Sequence, residues 1–170
     1  LGQTVQWGFP YFLGRIYFND LKGLRLLAIA MFVGGIVYMP LCLYEIRMSP
    51  QLHQMVYGYF PHSFMQTIRY DGFRPQVFMA HGLALGVWMM AATLLGIWLW
   101  QAGVMKQIWG IPMSWLVPAL LITFILCKST GAWFLAVFGI LILFAAKWLR
   151  TALPLLVLIG GIFFYQYYVA

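Results

Sequence analysis

The sequence has very little charge. Of its 170 residues, 8% are charged and only three are acidic, whereas 64% are hydrophobic. The mean hydropathy is +0.89. A soluble domain averages about 25% charged and about 45–50% apolar residues, and a chain of this length still needs a polar surface in water. The composition therefore excludes an independently soluble domain and predicts an integral membrane protein.

Cysteine and clustered metal ligands are also scarce. Cys42 and Cys127 each lie at the end of an apolar run, and the sequence has no CxxC motif or Cys/His cluster. These absences argue against a disulfide framework or a zinc site, so we expect two buried free thiols. His53, His62 and His81 have no carboxylate at ligand spacing. We therefore expect neither a metal nor a cofactor.

Five apolar runs predict an all-α, polytopic helical membrane protein with about five transmembrane helices. They cover residues 24–43, 77–100, 114–127, 132–146 and 152–169, and residues 1–23 form a cytoplasmic or interfacial entry. A span needs about 20 residues, so the third and fourth runs form a short pair. The polar turn between them, residues 128–131, predicts a helix break. One unbroken helix, with Lys128 reaching for the membrane surface, is the alternative.

The distribution of basic residues predicts the topology. One side of the membrane would hold six of them, namely Arg15, Lys22, Arg25, Lys106, Lys147 and Arg150, and the other side four, namely Arg47, Arg69, Arg74 and Lys128. The excess marks the first side as cytoplasmic, so residues 44–76 face outward, into the periplasm. Because the basic residues lie between apolar runs, we expect membrane lipids as partners and no nucleic acid.

The outward segment, residues 44–76, carries most of the polar chemistry and is rich in Met, Phe and Tyr. We expect two short helices on the membrane surface, covering residues 50–57 after a Ser49 cap and residues 62–70. The first would place His53 and Tyr57 on one face.

Three arginines of this segment, Arg47, Arg69 and Arg74, are candidates to clamp a diphosphate, because a guanidinium is a planar, always charged fork. Contacts with lipid headgroups, or pairing with Glu45 and Asp71, are the alternative. His81 begins a predicted span, where an ionisable group is either functional or a packed histidine with satisfied hydrogen bonds. Lys128 lies on the same predicted side and would add a fourth positive charge.

Residues 45–89, EIRMSPQLHQMVYGYFPHSFMQTIRYDGFRPQVFMAHGLALGVWM, carry a family resemblance. They resemble the outward loop and following helix of O-antigen ligase and O-antigen polymerase-like membrane proteins, which act in lipopolysaccharide and other polysaccharide biosynthesis. The KSTGAW string is similar to that family's Ser-Arg-Gly-Ala type turn. The resemblance covers roughly residues 14–146.

This resemblance implies part of a glycosyltransferase of the bacterial inner membrane with ten or more spans. Such enzymes transfer or polymerise a glycan from an undecaprenyl-diphosphate carrier without a metal. Arg74 of the GFRPQVF string matches an arginine that holds the diphosphate, and Arg47 and Arg69 match less closely. The family's second outward loop, with an essential Arg and His, lies beyond this chain. The catalytic base therefore remains unknown, and we expect this chain to need the remainder of a longer protein for activity.

Two other functions remain open. A part of a lipid-linked sugar transporter or flippase would use the same arginines, but would move the donor without consuming it. A structural membrane subunit would use them to bind lipid headgroups, and glycan synthesis would not depend on them.

Overall fold

A computed structural model describes residues 2–61 and 63–150, which are mostly helical. The described α-helices are α1 (Gly2–Tyr17), α2 (Leu21–Met48), α3 (Leu52–Tyr57), α4 (Gly82–Gln101), α5 (Met113–Leu126) and α6 (Thr130–Leu149). Two antiparallel hairpins connect them, one formed by β1 (Ile68–Arg69) and β2 (Gly72–Phe73), the other by β3 (Gln107–Ile108) and β4 (Ile111–Pro112). A 3-10 helix, Phe64–Thr67, precedes β1.

Three of the described helices, α2, α4 and α6, are long and apolar enough to cross a membrane. Helix α5 has 14 residues, or about 21 Å at 1.5 Å per residue, less than a hydrocarbon core of about 30 Å. The predicted fifth run, residues 152–169, lies outside the described residues. A helical protein with membrane-spanning segments is thus supported, and the number of about five spans stays a prediction.

The chain divides into two compact units, one ending at Ser129 and the other beginning at Thr130. In the first unit, α2, α4 and α5 pack against one another. The described part of the second unit is α6, which has 20 residues. Its length corrects the prediction of a short fourth helix, because the helix extends beyond the apolar run to include Thr130 and Leu149.

Glycines bring α2 and α4 close together. A Cβ atom added to Gly35 of α2 would lie 2.5 Å from the Cβ of Ala92 in α4, and one added to Gly96 of α4 would overlap the ring of Phe32. Phe32 and Ala92 are fully buried. Small residues at a contact let two helix backbones approach closely, which is how membrane helices gain packing without a hydrophobic driving force.

The connections at one end of this bundle differ from the prediction. Ser49 is the C-cap of α2, with φ 84°, rather than the start of the next helix, and Gln51 is the N-cap of α3. The second predicted surface helix, residues 62–70, is replaced by the 3-10 helix and the β1–β2 hairpin. Helix α4 begins at Gly82, five residues later than its apolar run. The pairing of Ile68 with Phe73 forms the hairpin in place of the predicted helix.

Candidate functional site

The site is built where α2 ends, α4 begins and α5 ends. Arg74 lies in the connection between β2 and α4 and is 6% exposed. Its backbone N–H donates a hydrogen bond to the carbonyl of Thr67 at 2.7 Å. Its side chain crosses the first turn of α4, where a Cβ added to Gly82 would lie 2.9 Å from the Cδ of Arg74. A glycine at this position therefore makes room for the arginine.

The guanidinium of Arg74 contacts Ser129, which lies just after the end of α5. Its Nη2 donates to the hydroxyl of Ser129 at 2.9 Å, and Ser129 is fully buried. The Nε atom is buried and has no hydrogen-bond partner. Burial and the positive charge of Arg69 hold the pKa of Arg74 below its ordinary value, with burial the larger cause and Cys127 acting weakly in the opposite direction. No carboxylate among the described residues contributes to this shift.

The buried carboxylate of this region, Glu45, accepts hydrogen bonds from backbone N–H groups. Glu45, near the end of α2, is fully buried. Its Oε1 accepts from the N–H of Leu52 at 3.0 Å, and its Oε2 accepts from the N–H groups of Gln76 and Val77 at 2.8 and 2.7 Å. The hydrogen bonds of Glu45 in the described residues thus come from the backbone, and not from an arginine as the alternative prediction had it.

Lys128 reaches the arginine-bearing segment, although it supports the backbone there. Its Nζ donates to the carbonyls of Arg69 and Tyr70 at 3.1 and 2.9 Å. Both central residues of the β1–β2 turn, Tyr70 and Asp71, have positive φ, which is costly without glycine. The predicted helix break and the closeness of Lys128 to this segment are confirmed. A direct role for Lys128 in binding a ligand stays a prediction.

The other predicted site residues differ in their surroundings. Arg47, at the end of α2, and Arg69, in β1, are exposed, and Arg69 lies close enough to Arg74 to act on its pKa. His81 caps α4, with its Nδ1 accepting from the N–H of Leu83 at 3.2 Å. The cap explains why a histidine stands at the start of this helix, and it leaves a ligand role for His81 as a prediction.

His53 is a packing residue within the segment 44–76. It is 5% exposed, and its Nδ1–H donates to the carbonyl of Tyr59 at 3.1 Å. Its ring packs against Tyr57 and Tyr59, with centroids 4.7 and 5.0 Å apart. The prediction that His53 and Tyr57 share a face is confirmed. No group of three or more metal-ligating side chains occurs among residues 2–61 and 63–150.

Sequence reasoning missed Ser129 and the backbone role of Glu45. Ser129 was part of a recognised polar turn, but nothing in its local pattern points to Arg74, 55 residues away. Both cysteines are buried and free, as predicted. No protein-family model, curated protein or solved structure matches this chain, so its function is argued from the chemistry around Arg74.

Proposed function

We propose that this protein is part of a membrane glycosyltransferase in which Arg74 holds the diphosphate of an undecaprenyl-linked glycan donor. One observation carries the proposal: the guanidinium of Arg74 is buried, and its identified partner is the neutral hydroxyl of Ser129. Burying a charge is expensive unless it is paired. An anionic ligand supplies the missing partner, and a perturbed buried cation of this kind is typical of functional sites.

A diphosphate fits the chemistry of this cation. A guanidinium offers parallel N–H donors that match two oxygens of a phosphate group. In the transfer reaction, the carrier diphosphate is the leaving group and its negative charge grows as the glycosidic bond breaks. A fixed cation in a partly dry site stabilises such growing charge more strongly than it would in water.

The location also suits a lipid-linked donor. Arg74 lies against the first turn of α4, one of the helices long enough to cross a membrane. The diphosphate of a polyprenyl donor sits at the boundary between apolar tail and polar sugar, at the level where membrane helices end. Under this proposal residues 44–76 face the periplasm of a bacterial inner membrane, and Arg69 adds a second positive charge near the site.

Catalysis needs more than a bound donor. An acceptor hydroxyl must be oriented and deprotonated, and we assign no residue to that role. Arg74 in this scheme binds the donor and stabilises its leaving group.

The test compares Arg74→Ala, Arg74→Lys and the exposed control Arg15→Ala in the whole protein, at equal expression in membranes. Loss of one charge-assisted contact costs about 1.5–3 kcal/mol, so we expect Arg74→Ala to reduce glycan transfer from the polyprenyl-diphosphate donor about 10- to 150-fold. Arg74→Lys should recover only part of the activity, because lysine keeps the positive charge but lacks the planar fork. Arg15→Ala should have normal activity.

Each alternative gives a different result in this assay. A transporter would move the labelled donor across the membrane without consuming it. A structural subunit would support normal glycan synthesis in the Arg74→Ala variant. Either outcome would contradict the proposal.

A further inference from the structure

We propose that Glu45 is a positioning residue that sets the place of Arg74 by holding a strained turn directly after it. The value of this placement for binding rests on the proposed function. The placement itself is a property of the fold and can be measured without a ligand.

The turn that follows Arg74 presents two consecutive backbone donors to one oxygen. The N–H groups of Gln76 and Val77 both point to Oε2 of Glu45, at 2.8 and 2.7 Å. Consecutive N–H groups in a turn that includes a left-handed residue form a concave anion-binding site. Here the anion is a side chain of the protein, which arrives from α2, more than 30 positions earlier in the chain.

The turn is strained and needs this partner. Val77 has φ 53° and is fully buried. A β-branched residue in the left-handed region is a genuine outlier, which persists only where the surroundings over-determine it. Two short hydrogen bonds to a carboxylate provide that stabilisation, because hydrogen bonds to charged groups are the strong ones.

The same hydrogen bonds restrict Arg74. Pro75 lies between Arg74 and the turn, with a ring that fixes its φ and with no N–H of its own. On the other side, the N–H of Arg74 is bonded to Thr67. The backbone is thus fixed on both sides of the arginine, and its side chain is directed across Gly82 to Ser129.

Glu45 holds Arg74 in place without neutralising it. Its second oxygen accepts from the N–H of Leu52 at the start of α3, so both oxygens serve the backbone. Glu45 is not among the groups that shift the pKa of Arg74. The carboxylate therefore fixes the position of the cation and leaves the charge available for an external anion.

The experiment measures the accessibility of Arg74 in the purified whole protein. Phenylglyoxal modifies exposed guanidinium groups, and mass spectrometry gives the rate at each arginine. The exposed Arg47 and Arg69 serve as internal references. We compare wild type with Glu45→Ala, with Glu45→Gln, and with Leu120→Ala, a variant of the buried core chosen as the stability control. Binding of inorganic pyrophosphate is measured in parallel.

We expect Glu45→Ala to raise the modification rate at Arg74 by about tenfold or more, as loss of hydrogen bonds to a charged group predicts. Glu45→Gln keeps one oxygen for Gln76 and Val77 and should give an intermediate rate. Leu120→Ala should leave the modification rate at Arg74 unchanged, even if it lowers the melting temperature as much as Glu45→Ala does.

A wild-type rate at Arg74 in folded Glu45→Ala would overturn the proposal, as would an equal increase in Leu120→Ala. Should Glu45→Ala fail to fold, a wild-type rate in folded Glu45→Gln would overturn it. Increased modification of Arg74 in the Glu45 variants would uphold the positioning role even where the wild-type protein binds no pyrophosphate. Absence of pyrophosphate binding by the wild type would count against the proposed function, but not against the positioning role of Glu45.

Discussion

The Nη2 atom of Arg74 and the hydroxyl oxygen of Ser129 are 2.9 Å apart, although the two residues are separated by 55 positions in the chain. This contact joins two strings that stand out in the sequence, GFRPQVF and KSTG. It also ties the end of α5 to the connection that precedes α4. Because the serine is neutral, the contact positions the guanidinium and leaves its charge uncompensated.

The buried charge of Arg74 should cost stability. We expect Arg74→Met to leave the free energy of unfolding unchanged or to raise it by up to about 2 kcal/mol, while abolishing anion binding. The exposed control Arg47→Met should change it by less than about 0.5 kcal/mol. Thermal unfolding in detergent measures both. A loss of more than about 2 kcal/mol in Arg74→Met would show that the guanidinium is a net stabilising group.

Lys128 should stabilise the β1–β2 turn through the carbonyls of Arg69 and Tyr70. We expect Lys128→Met to reduce the free energy of unfolding by about 1 kcal/mol. Adding Asp71→Gly should restore part of it, because glycine adopts the φ of 54° at that position without steric cost. Hydrogen exchange of the hairpin amides measures the effect locally. Equal protection in wild type and Lys128→Met would contradict this role, and Lys106→Met is the exposed control.

The close contact of α2 with α4 should be sensitive to one methyl group. Gly35→Ala places a Cβ atom against Ala92, and we expect it to cost about 1–3 kcal/mol, as overpacking does. Gly14→Ala, in α1, meets no atom within 4 Å and should be neutral or stabilising by up to about 1 kcal/mol. Thermal unfolding of the two variants provides a matched comparison. Equal melting temperatures of the two variants would contradict a close contact between α2 and α4 at Gly35.

The orientation of the protein can be tested with single cysteines. We expect Ser63→Cys to react with a membrane-impermeant maleimide in intact cells and Lys106→Cys to react only after permeabilisation, because the six-to-four distribution of basic residues places them on opposite sides. The native thiols are buried, so their background should be low. Labelling of Ser63→Cys only in permeabilised cells would reverse the topology.

Local pattern was sufficient for the features that depend on neighbours along the chain. The apolar runs predicted the bounds of α2, α4 and α5 to within five residues, because length and hydropathy are local properties. The polar turn at residues 128–131 correctly ended one helix and began another, since a charged residue in hydrocarbon is costly. The buried state of Cys42 and Cys127 followed in the same way from their place in apolar runs.

Long-range contacts decided the rest. Nothing near Glu45 indicates that its carboxylate will meet the N–H groups of Gln76 and Val77, and nothing near Arg74 indicates Ser129. The hairpin at residues 68–73 stands where a helix was predicted, because strand pairing and the support of Lys128, which lies between α5 and α6, stabilise it. The sequence by itself determined a set of apolar helices with an arginine-bearing connection. Packing of α2, α4 and α5 decided which arginine is buried, since burial depends on groups that are distant in the chain and adjacent in space.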